Sequence, residues 1–388
     1  MTSPLAIALL AALAGSPTPA TAAAPGAAVA SAAGAAPAAS EPVARRSRRD
    51  PLQQPFASTS IWNMPIGRRA RYVPAGLSPT PGKHNRWAGM PFLDEERIVL
   101  TPAAPLTELL YSSAAWSGKD RCRPTGGLVA SVPMPAGYVV PHSTQNNAAA
   151  FLLADGRTIV QTQPLGRCQA GTAGTTYARF DDVDLYGDGI RGAHGGSGLS
   201  AIGGTIRLGE LRPGARTGPR HVLKVNVYAK EALFECEVRA ECLRWPAETA
   251  DTGAAALYGR ASGNGHRAMR MGALLAIPRW KKIAALRLET QPGRQLAWTL
   301  QNYGAYVVDD TSAPGFALNV EEGPAGSKRA EFRADWGFDM AQKVGDDSPW
   351  RRDMQKLVQA LHVIDNNGPD SIGGGDPPRH LLAAPISP

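Results

Sequence analysis

Short runs of β-branched and apolar residues recur along the chain, and turn residues separate most of them. Arg97-Ile-Val-Leu-Thr101, Tyr138-Val-Val140, Ala149-Ala-Phe-Leu-Leu-Ala154 and Arg157-Thr-Ile-Val-Gln-Thr-Gln163 read as strands. Gly204 to Leu208, His221 to Tyr228, Met271 to Ile277, Tyr306 to Asp309 and Phe316 to Val320 add five more. Asp155-Gly156 sits between two of these runs, a strong hairpin signal because such turns favour positive φ. Helical periodicity is rarer. Pro292 to Tyr303 places Leu296, Thr299, Leu300 and Tyr303 on one face and stops at Gly304. Pro349 to Val363 places Met354, Leu357, Val358 and Leu361 similarly, and Pro105 to Ala115 is a weaker third helix. The pattern predicts a mainly β fold, an antiparallel sandwich or jelly roll in one domain over 51–388, with a few peripheral helices.

The strand His221-Val-Leu-Lys-Val-Asn-Val-Tyr228 alternates cleanly. Leu223, Val225 and Val227 point to one face, and Lys224, Asn226 and Tyr228 to the other. An amine, an amide and a phenol on one face suit a sugar-binding surface. Gln161 and Gln163 share a face of the hairpin strand with Arg157 and Ile159, and their neutral amides suit hydroxyl or carboxylate ligands.

Candidate chemistry is densest between Asp181 and Ser200, where glycines alternate with Asp, Arg and His. Glycine lets the backbone approach a ligand closely. Arg191 and His194 offer a carboxylate clamp and an acid/base. Asp182, Asp184 and Asp188 could hold Ca²⁺, although Tyr186 interrupts the spacing of a calcium loop. Ser197 fails the G-x-S-x-G pattern at Leu199, which argues against a nucleophile elbow. The alternative is a tight glycine corner whose polar residues cap loops. His142 precedes a polar loop, Ser143 to Asn147, that could bind sugar or simply turn. Asp309-Asp310 could bind metal or simply end a strand.

Composition narrows the class. The 388 residues are 43% hydrophobic and 19% charged, with 42 Gly and 33 Pro, which favours turn-rich β structure over a helical bundle. Leu5 to Ala14 is an apolar run of signal-peptide length, with an A-x-A site at Ala20-Thr21-Ala22, so residues 1–24 read as a signal peptide. Residues 25–50 read as an Ala/Pro-rich tether ending in Arg45-Arg46-Ser47-Arg48-Arg49. That cluster could touch an anionic wall or membrane, or remain a solvated tail. Beyond residue 49 there are 37 basic and 32 acidic residues, so the body carries only +5 of the +8 total. No zinc-finger spacing or basic helix supports nucleic-acid binding, and no run in the body is long enough to span a membrane. Four cysteines in an exported chain predict two disulfides, most simply Cys122 with Cys168 and Cys236 with Cys242. A zinc site competes, but no CxxC occurs.

Together these features predict a secreted, monomeric protein acting on an extracellular polysaccharide or cell-wall glycan, with no resident cofactor. The residue types suit a lyase on an acidic polymer. Arg191, Asn226 or Gln163 would neutralise a uronate, and His194, Tyr228 and Lys224 would serve as base and acid. Gln161 and His142 are further substrate-binding candidates. A glycoside hydrolase using Asp184 and Asp188, or a non-catalytic glycan-binding module, are the alternatives.

Four segments carry a resemblance: Ser60-Ile-Trp-Asn-Met-Pro65, Asp155 to Pro164, Tyr186-Gly-Asp-Gly-Ile-Arg191 with His194-Gly-Gly-Ser-Gly-Leu-Ser200, and Leu296 to Asp309. They resemble a widespread set of exported bacterial proteins. The resemblance implies an extracellular protein with a role at carbohydrate.

Overall fold

A computed structural model describes residues 49–78, 86–87, 91–117, 119–342 and 347–387. All of them belong to one unit, Arg46–Pro388. The proposed leader and nearly all of the tether lie outside the described residues.

Eight strands build the part of the fold that matters for the site. They are β1 (Pro91–Val99), β2 (Ala149–Leu152), β3 (Thr158–Gln163), β4 (Leu223–Val227), β5 (Leu274–Ala276), β6 (Ala305–Asp310), β7 (Phe316–Gly323) and β8 (His362–Ile364). They run in the order β8-β5-β6-β4-β7-β1-β2-β3 within a 12-stranded sheet. The fold is mainly β, as the strand pattern predicts. The sheet is mixed rather than purely antiparallel, because β4 pairs with β6, β7 with β1, and β1 with β2 in parallel. Parallel pairing needs long crossovers, and the strands concerned are far apart in sequence.

Strand alternation divides the core in two. Leu223, Val225 and Val227 of β4 pack with Leu296, Leu300, Phe332, Met354 and Leu357. Those residues lie on α1 (Gln291–Asn302), α2 (Lys328–Trp336) and α3 (Pro349–Ala360), so the helices cover one face of the sheet. On the other face, Ile98, Ile159, Tyr306 and Val308 pack against Phe56, Ile61, Trp62, Leu199 and Ala201 from irregular segments.

Helix α1 forms as expected. The Thr290 hydroxyl accepts from Gly293 N–H, Pro292 sits at the start, and Gly304 follows the end with φ of 80°. Two helical expectations are corrected. Helix α3 stops at Ala360 because His362–Ile364 is taken into the sheet against β5. Residues Leu106–Tyr111 form a strand, pairing with Leu128–Pro133 and Gly174–Thr176. There Thr107 and Leu109 are buried between exposed neighbours, a period of two that outweighs helix propensity. The hairpin of β2 and β3 is present, with Gly156 at φ 65°. Asp155 does not need positive φ. Its carboxylate instead accepts from the backbone N–H groups of Arg157 and Thr158.

Both expected disulfides form, Cys122–Cys168 and Cys236–Cys242. No described helix is long and apolar enough to cross a membrane.

Candidate functional site

Polar side chains gather where the centre of the sheet meets a cleft of about 680 Å³. Alternation along β1 puts Asp94 and Glu96 on the same face as Ile98. Parallel register sets Asn319 of β7 opposite Asp94, and Glu321 opposite Glu96. On β4, Lys224 and Asn226 point the same way. Asp309 arrives there by an irregularity. Val225 pairs with Val307, but Asn226 pairs with Asp309, so β6 carries one extra residue, Val308. Strict alternation would send Asp309 to the helix side with Val307. The bulge re-aims it onto the face of Asn226.

His194 reaches the same cluster from the glycine-rich segment, at the end of the short strand Arg191–His194. Two glycines there are required by close approach. A Cβ on Gly192 would lie 2.2 Å from Gln161 Oε1, and one on Gly196 would lie 2.4 Å from Asp309 Oδ1. The structural alternative and the functional one therefore coincide, because the tight corner is what delivers His194.

The contacts are close and buried. His194 Nε2 is 2.6 Å from Glu96 Oε1, and Nδ1 is 3.3 Å from Asp309 Oδ2. Lys224 Nζ lies 3.1 Å from the same Glu96 oxygen and donates to the Ser200 and Ala201 carbonyls. Asp94 Oδ2 accepts from Asn226 Nδ2 at 2.7 Å and from Asn146 Nδ2 at 2.8 Å. The same Asn146 nitrogen donates to Asp309 Oδ2 at 3.1 Å. Asn319 Nδ2 donates to Asn226 Oδ1 and fixes its amide with the nitrogen toward Asp94.

Burial and charge act in opposite directions on these groups. Burial alone would lower the His194 pKa, but the Glu96 charge and bonds to Asp309 and Glu96 outweigh it and raise the imidazole to about 9. The ring is therefore an imidazolium donating through both nitrogens. Burial pushes Asp309 up to about 7, with His194 opposing. Asp94 is raised by burial and by the nearby Glu96 charge. Lys224 is lowered by burial against the pull of Glu96.

Asp94, Asn146 and Asn226 line the cleft, together with Glu95, Asp310 and Trp116. Trp116 is 39% exposed, and its ring lies 5.7 Å from that of Tyr177, which is also exposed. His194 and Asp309 stand behind this lining. Asp94, His194 and Asp309 each present one ligand atom within 4.8 Å of the others, so this group could hold a metal ion.

Of the residues singled out from sequence, His194, Lys224 and Asn226 come together here. Gln163 supports the corner, accepting from Gly195 N–H, and buried Gln161 accepts from Ala201 N–H and donates to the Arg191 carbonyl. Arg191 is exposed and pairs with Glu248 and Asp181. Tyr228 is not among the cleft residues. His142 is exposed beside Cys122 and Cys168, whose sulfurs are joined in the disulfide. The calcium expectation is corrected. Asp182 is engaged by Arg179 and Asp184 by Arg157, while Asp188 accepts from Ile190 N–H, so the three do not converge.

Asp94 and Glu96 were missed because the run Asp94-Glu95-Glu96 reads as a charged surface stretch. The available signal is the spacing of two carboxylates two residues apart, in phase with buried Ile98. No family model, no curated protein and no solved structure matches the chain.

Proposed function

We propose that the protein is an exported hydrolase acting on a glycan, with Asp94 and Asp309 as its working carboxylates. The observation that carries this reading is the pair itself. Both Oδ2 atoms accept from one amide nitrogen of Asn146, and both carboxyls are raised by burial. Burial, more than their mutual charge, raises both, and Asp309 takes up a proton near neutral pH. Asp309, which keeps 6% exposure at the edge of the lining, would donate its proton to the leaving oxygen, Asp94 at the cleft wall would attack or stabilise the sugar cation, and water would then complete the hydrolysis and restore the proton. Both oxygens sit on one Asn146 nitrogen, at 2.8 and 3.1 Å, so the pair is a close one, as in retaining enzymes, whose carboxyl groups stand roughly 5 Å apart. Inverting pairs stand at about 6.5–9.5 Å.

The cleft favours a neutral or amino sugar. Asp94, Glu95 and Asp310 line it, and the one lining cation among the described residues, Arg329, is already engaged by Asp339 at 2.8 Å. A uronate would meet repulsion there. Trp116 offers an apolar face for a sugar ring. A lyase needs a carboxylate clamp and an accessible base, whereas Arg191 lies off the cleft and His194 is fully buried. Two disulfides suit an oxidising compartment. Cleavage near residues 22–24 would appear as the mass of the mature N-terminus in culture supernatant.

Screening neutral, amino-sugar and uronate polymers for new reducing ends and new ultraviolet absorbance tests the reading. Wild type is expected to release reducing ends without absorbance, and Asp94→Asn and Asp309→Asn to lose about two to four orders of magnitude. Absorbing, unsaturated products would establish a lyase instead, and binding without any product would establish a glycan-binding module.

A second reading rests on the back of the histidine. Metal-binding imidazoles commonly donate their other nitrogen to a carboxylate, and Glu96 holds His194 Nε2 in that manner. A divalent ion held by Asp94, His194 and Asp309 would activate water in place of the Asp309 proton. A melting temperature that rises with added divalent ion in wild type, and not in Asp94→Asn, would favour it.

A further inference from the structure

A second groove, of about 960 Å³, is lined by Arg49, Arg68, Arg220 and Arg379 together with His380 and Tyr303, and among the described residues no carboxylate lines it. Among the described residues none of these four arginines has an ion-pair partner. Two of them also keep buried donors with no acceptor: Nε and Nη1 of Arg49, and Nη1 of Arg379. An unsatisfied buried N–H costs free energy, more so on a charged group. Four guanidiniums around one concavity also repel one another. Oxyanions in the groove relieve that repulsion, and guanidinium forks bind them bidentately.

Local packing holds the arginines in place without neutralising them. Arg220 lies over the Trp298 ring at 5.8 Å, and Arg379 over Tyr72 at 5.4 Å. Burial and the charges of Arg220 and Arg379 lower the His380 pKa, which reports the same positive field. Arg49 is the last residue of the arginine cluster noted in the sequence, and its Nη2 donates to the Phe56 carbonyl.

We infer that this groove binds a linear polyanionic glycan, through carboxylate or phosphodiester groups spaced along the chain. A concave site lined by four arginines suits an extended chain, whereas a flat bilayer would reach only the rim. The stacked rings of Tyr303 and His380, 13° from parallel, provide an apolar wall between the charges. The groove is a docking site separate from the acidic cleft, so it does not depend on the hydrolase reading.

Fluorescence anisotropy on the full chain tests this with four probes. These are a labelled galacturonate hexamer, a labelled glycerol-phosphate hexamer, a neutral maltohexaose, and phosphatidylglycerol vesicles. At least one anionic hexamer is expected to bind, and more weakly as salt rises, with no binding of maltohexaose. Which hexamer binds distinguishes carboxylate from phosphodiester as the source of charge. Arg220→Ala with Arg379→Ala should weaken binding about tenfold or more, the effect of losing two charge-assisted contacts. Arg68→Glu, at an exposed position with no ring contact, should do the same and covers the case in which the double variant melts early. Asp94→Asn should leave this binding unchanged even if it abolishes hydrolysis. Equal affinity for maltohexaose, unchanged affinity in Arg68→Glu, or binding to vesicles alone would overturn the inference.

Discussion

Replacing His194 with Gln keeps a donor toward Glu96 and removes the positive charge. The structure sets the size of the effect. The imidazole is fully buried between Glu96 and Asp309, and its pKa is raised from 6.5 to about 9. A shift of that size corresponds to about 3 kcal/mol of folding stability. The same order follows from breaking a buried ion pair, about 3–5 kcal/mol. The sign follows from linkage. A folded pKa raised above the unfolded one stabilises fully below about 6.5, and the contribution is lost as pH rises through about 9. Wild type should therefore exceed His194→Gln by about 3 kcal/mol near pH 6, and that gap should shrink from about pH 6.5 upward and be nearly gone above about 9. Urea denaturation of both proteins across this range measures the gap directly. A gap that stays constant with pH would refute the buried imidazolium, because cavity and packing losses do not titrate.

Three further outcomes follow from single contacts. Gly196→Ala should displace Asp309, since the new Cβ would stand 2.4 Å from its Oδ1; thermal melting should fall by about 1–3 kcal/mol equivalent, with activity falling alongside. Trp116→Ala should raise KM with little change in kcat if the ring serves as a sugar platform; a fall in kcat alone would count against that role. Removing Cys122–Cys168, which spans 46 residues, should cost about 4 kcal/mol; removing Cys236–Cys242, which spans 6, should cost about 2 kcal/mol, and denaturation of the two Cys-to-Ser pairs compares them.

The sequence shows the alternation of β4 plainly, and Lys224 and Asn226 do share a face. What alternation could not show is that this face is covered. Gly192 and Gly196 bring the segment ending at His194 onto it, which converts an expected open sugar-binding surface into a buried charged cluster. Asp309 was legible as a residue and illegible as a direction, because the bulge at Val308 depends on pairing with a strand about eighty residues earlier. Asp94 joins the site only through the parallel pairing of β1 with β7, a long-range contact that local periodicity does not encode. Of the residues that local pattern favoured, Arg191, Asp182 and Asp184 are held in ion pairs, and Asp188 accepts from the Ile190 N–H. Sequence proximity collected them; the sheet did not.

Asp309, buried beside Asp94, takes up a proton near neutral pH. Carbon-13 NMR of the aspartate side-chain carboxyls, recorded against pH in wild type and in Asp309→Asn with a chelator present, reads it without any substrate. One aspartate should titrate near 7 and a second should be raised above the ordinary value, with the step near 7 missing in Asp309→Asn. Every aspartate titrating at or below the ordinary value of about 3.9 would contradict it.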